Sequence, residues 1–265
     1  MQAFDYVRPT ALTDAVRALQ AQPDAKLLAG GQTLIPAMKL RLNRPATIID
    51  LSGIGGLNAI TNKGGVLRIG ATATHAEIAS SPVVRSSIPA LAHVAEGIGD
   101  PQVRNRGTIG GSLANNDPAA DYPAAALALM ASFQTNKRTI AADDYFTGLF
   151  ATVGEDEIIT EIAFPIPKRF GYAKFPNPAS RFALVGVAVA DTASGVRVAV
   201  TGAGVNGVFR LPQMEAALAK SFAPDALSNV RIASEGLAND IHADADYRAH
   251  LIGVMAKRAV QAALA

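Results

Sequence analysis

The pattern of apolar and polar positions in the first 70 residues predicts a small α/β unit followed by a β-hairpin. Short apolar runs alternate with segments of helical periodicity, and Asn62-Lys63-Gly64-Gly65 has the composition of a tight turn. Thr13 is the predicted cap of the first helix. The predicted elements are a helix at 13–20, a strand at 26–29, a helix at 34–40, a strand at 47–51, and hairpin strands at 57–61 and 66–70.

The rest of the chain changes from helix-rich to strand-rich near residue 133. Thr74 and Glu77 have capping-box spacing, which predicts a short helix from His75. Pro165 and Pro167 predict a boundary near residue 168. The other predicted elements are helices at 88–98 and 123–131, a long polar loop at 100–124, strands within 132–136, 158–164, 182–190 and 195–203, and a helix at 246–264.

Composition narrows the class of protein. The 265 residues are 49% hydrophobic and 17% charged with a net charge of +2, which fits a packed globule and does not favour nucleic acid or an anionic membrane surface. The absence of cysteine excludes disulfides, thiol catalysis and thiolate-bound clusters within the chain. The four histidines lack metal-site spacing. Without a signal-peptide pattern or an apolar run long enough to span a bilayer, we predict a cytoplasmic protein.

The segment LLAGGQTLIPAM, residues 27–38, interrupts an apolar run with two glycines and two polar residues. One interpretation is a strand–turn–helix corner that binds nothing, with Thr33 as the helix N-cap. The other is an anion site, because glycine lets backbone N–H groups converge closely on a phosphate and a helix start leaves such groups unpaired. This segment alone leaves both interpretations open.

A second Gly-Gly pair lies in the polar stretch 100–124 and is again followed by a hydroxyl, Ser112. Backbone N–H groups around residues 108–112 are candidates for a second phosphate. Asp121 is either a helix N-cap or a hydrogen-bond acceptor for ribose or adenine. Arg104 and Arg106 are interpreted as solvated loop cations unless a ligand engages them. Together the two glycine pairs predict a dinucleotide site.

A third glycine-rich segment, GAGVNG at 202–207, matches G-x-G-x-x-G after a strand-like run. Pro212 follows early, and no strand ends in an acid about 20 residues later, as the dinucleotide fingerprint requires. We therefore predict a strand-to-helix turn there and no nucleotide site.

The segments AGGQTLIPAMKLRLNRP, IIDL, IGATATHAEIA and PQVRNRGTIGGSLANNDPAADYPA resemble the FAD-binding medium subunit of molybdenum hydroxylases, a family that includes aerobic carbon monoxide dehydrogenases and xanthine dehydrogenase-like enzymes. The resemblance spans essentially the whole chain. It implies an α+β fold, with a two-subdomain FAD-binding domain of the vanillyl-alcohol oxidase (PCMH-like) type at 1–55 and 56–168. A C-terminal α+β domain of antiparallel sheet and helices would follow at 169–265.

The resemblance also implies which residues bind FAD. Two segments would hold the pyrophosphate, Asn115 would add a polar contact, Asp121 would bind the adenosine side, and Lys174 would approach the carbonyl edge of the flavin ring. Asn115-Asn116 departs from the His-Ala that many relatives have there. The two pyrophosphate segments consist of Ala29, Gly30, Gly31, Gln32 and Thr33, and of Thr108, Ile109, Gly110, Gly111 and Ser112. No catalytic side chain and no metal ligand is expected in this chain.

The resemblance further implies an electron-transfer subunit of an oxidoreductase. Electrons would pass from a molybdenum–pterin cofactor in a large partner subunit through [2Fe-2S] clusters in a small partner to FAD, and then to an external acceptor. The assembly would be a dimer of heterotrimers. Three alternatives stay open: a stand-alone flavin oxidoreductase, a scaffold subunit that has lost FAD, and a nucleotide- or CoA-binding module. The substrate and the acceptor cannot be inferred from the sequence.

Overall fold

The protein is described by a computed structural model that covers residues 1–154 and 156–265. The N-terminal part is a parallel three-stranded sheet of order β1-β3-β2, which confirms the predicted small α/β unit. Its elements are β1 (Asp5–Val7), α1 (Leu12–Ala21), β2 (Ala25–Leu28), α2 (Leu34–Lys39) and β3 (Thr47–Asp50). The prediction of Thr13 as a helix cap was wrong: the N-cap is Ala11, two residues earlier, it makes no side-chain cap, and α1 begins at Leu12.

Helices fill the middle of the chain after the predicted hairpin, β4 (Ile60–Lys63) and β5 (Val66–Gly70). Gly64 and Gly65 both have positive φ, +63° and +76°, as the hairpin turn requires. The predicted capping box of Thr74 and Glu77 is confirmed. The helices are α3 (His75–Ser80), α4 (Pro82–Ser87), α5 (Pro89–Glu96), α6 (Pro101–Arg104), α7 (Ile109–Asn115) and α8 (Asp121–Ala128).

In this region the structure corrects one expectation and excludes one of two alternatives. The stretch 100–124 is not a long loop, because α6 and α7 form within it; Asp100 and Thr108 cap them by accepting bonds from N–H groups three residues ahead. Asp121 is not an N-cap either. Ala120 holds that position, and Asp121 is the first residue of α8, where its side chain is buried.

An antiparallel sheet of order β4-β5-β10-β6-β7 supports these helices. A small separate hairpin, β8–β9, lies between β7 and β10 in sequence. The remaining elements of this part are β6 (Ser132–Thr135), β7 (Thr139–Ala141), α9 (Ala142–Tyr145), β8 (Phe146–Gly148), β9 (Ala151–Thr152) and β10 (Ile159–Pro165).

The C-terminal part is an antiparallel sheet of order β11-β12-β13-β14 with α11 packed across β11 and β12. Residues 202–207 join two antiparallel strands, β13 and β14, so this segment is a hairpin connection rather than the predicted strand-to-helix turn. Its elements are β11 (Arg169–Pro176), β12 (Ala183–Thr192), β13 (Gly195–Thr201), β14 (Phe209–Arg210), α10 (Pro212–Lys220) and α11 (Ala245–Leu264). Across residues 1–154 and 156–265, no helix has the length and apolar character needed to cross a membrane.

Candidate functional site

A cavity of about 610 Å³ lies where the three sheets and their helices meet. Its wall includes the segment after β2, the start of α7, the turn that follows α5 and the loop between β11 and β12. This volume is within the range of ligand pockets, roughly 300–1,000 Å³. The residues predicted to bind a dinucleotide therefore have a common space to line.

The first glycine pair offers free backbone donors to this cavity. Gly31 has φ +73°, and residues 31–34 all line the cavity. Within the described ranges, the N–H groups of these four residues donate no hydrogen bond to the protein, and the hydroxyl of Thr33 makes no cap. Buried or ligand-facing N–H groups need acceptors, so this turn suits an anion such as a phosphate.

The second glycine pair is different, because its N–H groups are already used. Those of residues 109 and 110 donate to carbonyls of the segment 71–73 at 3.1 and 2.9 Å. Those of residues 111 and 112 donate to the hydroxyl and the carbonyl of Thr108 at 3.1 and 3.0 Å. The N–H groups of residues 109–112 are therefore engaged within the protein, whereas that of Thr108 donates no hydrogen bond within the described ranges. Thr108 and Ser112 both line the cavity, so the Thr108 N–H and the Ser112 hydroxyl are what this segment can offer to a phosphate.

The glycines themselves are explained largely by packing of the two turns. A Cβ on Gly30 would lie 1.9 Å from the carbonyl oxygen of Arg106, and one on Gly110 would lie 2.6 Å from Ala71. A Cβ on Gly111 would instead lie 2.9 Å from the Thr108 hydroxyl and 3.9 Å from the Ala29 methyl. Gly30 and Gly110 thus let the chain segments touch, whereas a side chain at Gly111 would crowd Thr108 of its own segment and contact Ala29 of the first turn.

Of the other residues predicted to bind FAD, some line the cavity and some do not. Ala29, Gln32, Asn115 and Asp121 line the cavity with the glycines and hydroxyls already described. Ile109 is fully buried in the core and lines none of the described cavity, so its side chain cannot reach a ligand there.

Lys174 and Asp121, predicted to serve opposite ends of FAD, are in direct contact. The Lys174 ammonium lies 3.0 Å from the Asp121 carboxylate and donates to the Gly97 carbonyl at 2.9 Å. Tyr172 donates a second hydrogen bond to the same carboxylate. Since one point in the structure cannot serve both ends of an extended dinucleotide, at most one of the two assignments can hold. Lys174 is also absent from the described cavity wall.

This buried pair joins the C-terminal sheet to α8 and α5. Burial raises the pKa of Asp121, and the neighbouring Lys174 ammonium opposes that shift. The side chains of Asp121 and Lys174 are only 5% and 11% exposed, so water stabilises neither charge well and each charge is stabilised by the other.

Several cavity residues carry no sequence signal that would have identified them. His75 lies in the wall although only 4% of its surface is exposed. Phe150 and Phe182 reach the cavity from separate loops and are 58% and 47% exposed. Arg104 lies outside the described cavity wall, but it is not the solvated loop cation of the sequence interpretation: it is half-buried and donates to the carbonyls of Ile98 and Gly99 at 3.1 and 2.9 Å.

The loop that carries Phe150 is held by a single buried asparagine. Asn116, with φ +43°, donates from its side-chain amide to the carbonyls of Gly148 and Ala151 at 2.8 and 3.0 Å. Its own carbonyl accepts the N–H of Phe150, which also has positive φ, +53°. These contacts fix the backbone on both sides of Phe150, whose side chain lies at the edge of the cavity.

Comparisons with known proteins identify the family of the chain. A family described as "FAD binding domain in molybdopterin dehydrogenase" matches residues 2–167. The chain is 38% identical to the nicotine 6-hydroxylase medium subunit of Paenarthrobacter nicotinovorans, over 98% of this chain and 97% of the relative. It is 37% identical to the carbon monoxide dehydrogenase medium chain of Hydrogenophaga pseudoflava, over 99% of this chain and 97% of the relative.

Solved structures give the same result. A structure of carbon monoxide dehydrogenase from Hydrogenophaga pseudoflava superposes with a TM-score of 0.89 at 37% identity, covering 99% of this chain and 98% of the other. The extent of these matches, together with the glycine turns around a shared cavity, shows that the chain belongs to the family of FAD-binding medium subunits of molybdenum hydroxylases.

Proposed function

We propose that the cavity between the 29–34 turn and α7 holds FAD and that the chain relays electrons within a molybdenum hydroxylase complex. The observation that carries this proposal is the row of four backbone N–H groups, residues 31–34, that line the cavity without partners in the described structure. They match the need of a pyrophosphate for uncharged donors at close range.

The remaining wall suits the other parts of a dinucleotide. Gln32, Thr33 and Ser112 place polar side chains beside the free N–H groups. Phe150 and Phe182 offer exposed ring faces, on which a planar heterocycle can stack. In this proposal the backbone donors fix the phosphates, and the aromatic faces exclude water from a ring system.

FAD, when bound, supplies the redox chemistry, and the protein supplies binding, orientation and electrostatics. The relatives are named as medium chains, which places them in multi-subunit complexes. We infer a large molybdenum–pterin subunit and a small [2Fe-2S] subunit as partners, with electrons delivered by the small subunit and passed to an external acceptor. The relatives differ in substrate, so no substrate is assigned.

Finer features of the assembly belong to the same proposal. Three units at 1–55, 56–168 and 169–265 are supported by sheets that each remain within one of these ranges. The two N-terminal units would form the vanillyl-alcohol oxidase type of FAD domain. A dimer of heterotrimers and a cytoplasmic location complete the proposal.

The first experiment identifies the cofactor. The chain is purified with its partner subunits, its visible spectrum is recorded, and the cofactor released by denaturation is identified by chromatography and mass. We expect stoichiometric FAD that copurifies with molybdenum and iron. Flavin without these metals would favour a stand-alone oxidoreductase. A colourless chain that takes up no FAD in the assembled complex would refute FAD binding, and a different bound nucleotide would favour a nucleotide-binding module.

A further inference from the structure

His75 lies in the wall of the cavity but takes no part in the two glycine turns. It is the first residue of α3, directly after the Thr74 cap, so its backbone position is fixed by the capping box. Only 4% of the residue is exposed, yet its ring borders the cavity. A polar ring buried at such a place needs a reason, because burying an unpaired polar group is costly.

The two ring nitrogens have different surroundings. Nδ1 is completely covered and has no hydrogen-bond partner in the part of the chain that is described. The ring of Tyr122 lies 5.4 Å away, but its buried hydroxyl is likewise unpartnered within the described residues. Nε2 makes no hydrogen bond within the described residues either, but it is not fully covered, so we assign the edge of the ring that borders the cavity to Nε2.

Gly107 lies directly against that edge. A Cβ at Gly107 would lie 2.6 Å from Nε2 and 2.9 Å from Cδ2 of His75. Any other residue at this position would therefore clash with the ring. Glycine at this position lets the ring keep a place in which Nε2 is not fully covered.

The protonation state of the His75 ring is set by its burial and by the nearby charge of Arg104. Burial, with a smaller contribution from the nearby Arg104 guanidinium, lowers the pKa of His75 to about 4. The ring is therefore neutral at physiological pH. An unpaired buried N–H costs more than an unpaired acceptor, which favours the tautomer with Nδ1 bare and the hydrogen on Nε2. His75 thus presents an uncharged donor to the cavity.

We propose that the Nε2–H of His75 donates a hydrogen bond to an acceptor atom of bound FAD, making His75 a cofactor-contacting residue outside the two glycine turns. This inference rests on the proposed binding of FAD in the cavity. The contact is that of a neutral donor, so it can orient an acceptor without adding a positive charge next to the cofactor.

The test compares FAD affinity with the stability of the FAD-free chain. His75→Leu removes both nitrogens, His75→Gln places an amide donor near the position of Nε2, and His75→Asn places one near Nδ1. Each variant of the full chain is titrated with FAD by fluorescence quenching, and its thermal unfolding is measured without FAD. His93→Leu is the matched control, because His93 is exposed on α5 and lies outside the described cavity wall.

We expect His75→Leu to weaken FAD binding by roughly 2- to 12-fold, the worth of one hydrogen bond. The FAD-free chain should be no less stable, because Nδ1 has no partner to lose. His75→Gln should restore most of the affinity, His75→Asn should not, and the control should bind FAD as the unaltered chain does. This combination separates a contact from packing, since a packing role would lower stability and affinity together.

Two results would overturn the inference while FAD binding stands. One is unchanged affinity in His75→Leu; the other is equal weakening in all three variants accompanied by lower stability. Failure of the unaltered chain to bind FAD, both alone and with its partner subunits present, would refute the proposed function itself. Imidazole ¹⁵N spectra of the unaltered chain need no variant: Nε2 of His75 should shift when FAD is added, and an unmoved resonance at saturation would contradict the contact.

Discussion

Replacing Lys174 with methionine should destabilise the folded chain because it leaves a buried carboxylate without its cation. The substitution removes two contacts of the Lys174 ammonium, one with the Asp121 carboxylate at 3.0 Å and one with the Gly97 carbonyl at 2.9 Å. Hydrogen bonds that involve a charged group contribute about 1.5–3 kcal/mol each. Breaking a buried ion pair by removing one partner costs about 3–5 kcal/mol, which agrees with that sum.

The stability that Lys174→Met loses should increase as the pH rises from acid to neutral. Burial already raises the pKa of Asp121, and Lys174→Met removes the cation that opposes this shift. A carboxyl with a higher pKa in the folded than in the unfolded chain contributes stability below its unfolded pKa, about 3.9. That contribution is lost as the pH rises through the folded pKa. Lys174→Met should therefore be destabilised least near pH 4 and most near neutral pH.

Urea unfolding of the FAD-free chain at acid and neutral pH measures this effect. Asp121→Asn and the double variant complete a double-mutant cycle, in which the double variant should recover much of the stability because no unpaired charge remains. A loss at neutral pH of about 1 kcal/mol or less, as for an exposed pair, would refute this account of the Lys174–Asp121 contact. A loss that does not vary with pH would refute the role of the Asp121 charge.

Two further substitutions test the architecture of the site. Gly30→Ala places a Cβ 1.9 Å from the Arg106 carbonyl oxygen and should lower the free energy of unfolding, measured by thermal unfolding, by at least about 1–3 kcal/mol. Gly55→Ala is the control, because a Cβ there meets open space and should leave stability nearly unchanged. Equal stability of the two variants would contradict the close contact between the turns. Asn116→Gly keeps the left-handed backbone but removes the two amide bonds to the β8–β9 hairpin, so limited proteolysis within 146–152 should accelerate, while Asn115→Ala should leave that rate unchanged. Unchanged cleavage in Asn116→Gly would show that another contact holds the hairpin.

Much of the fold could be predicted because its signals are local. The turn at Gly64-Gly65 and the capping box at Thr74 each depend on residues within a few positions, and both are confirmed. The helices inside 100–124 were missed because their caps, Asp100 and Thr108, begin helices of only four and seven residues. So short an element has little apolar periodicity to detect.

The candidate site was predictable in its position but not in its contacts. The two glycine pairs do line one cavity, as their shared composition suggested. Whether an N–H group is free depends on distant partners: the segment 71–73 occupies donors of α7, and nothing near Gly110 in sequence indicates it. The pairing of Lys174 with Asp121 spans 53 residues and arises only when the C-terminal sheet packs on α8.

The most direct test of the central claim is the flavin content of the chain when a bulky side chain is placed at Gly111, where the two glycine turns approach each other. A side chain at Gly111 would project between Thr108 and Ala29, whereas one at Gly253 on α11 would meet open space. The unaltered chain and Gly253→Leu should each release FAD on denaturation, and Gly111→Leu should release none while keeping the same far-ultraviolet circular dichroism. Full retention of FAD by a folded Gly111→Leu chain would contradict the claim that FAD lies between these turns.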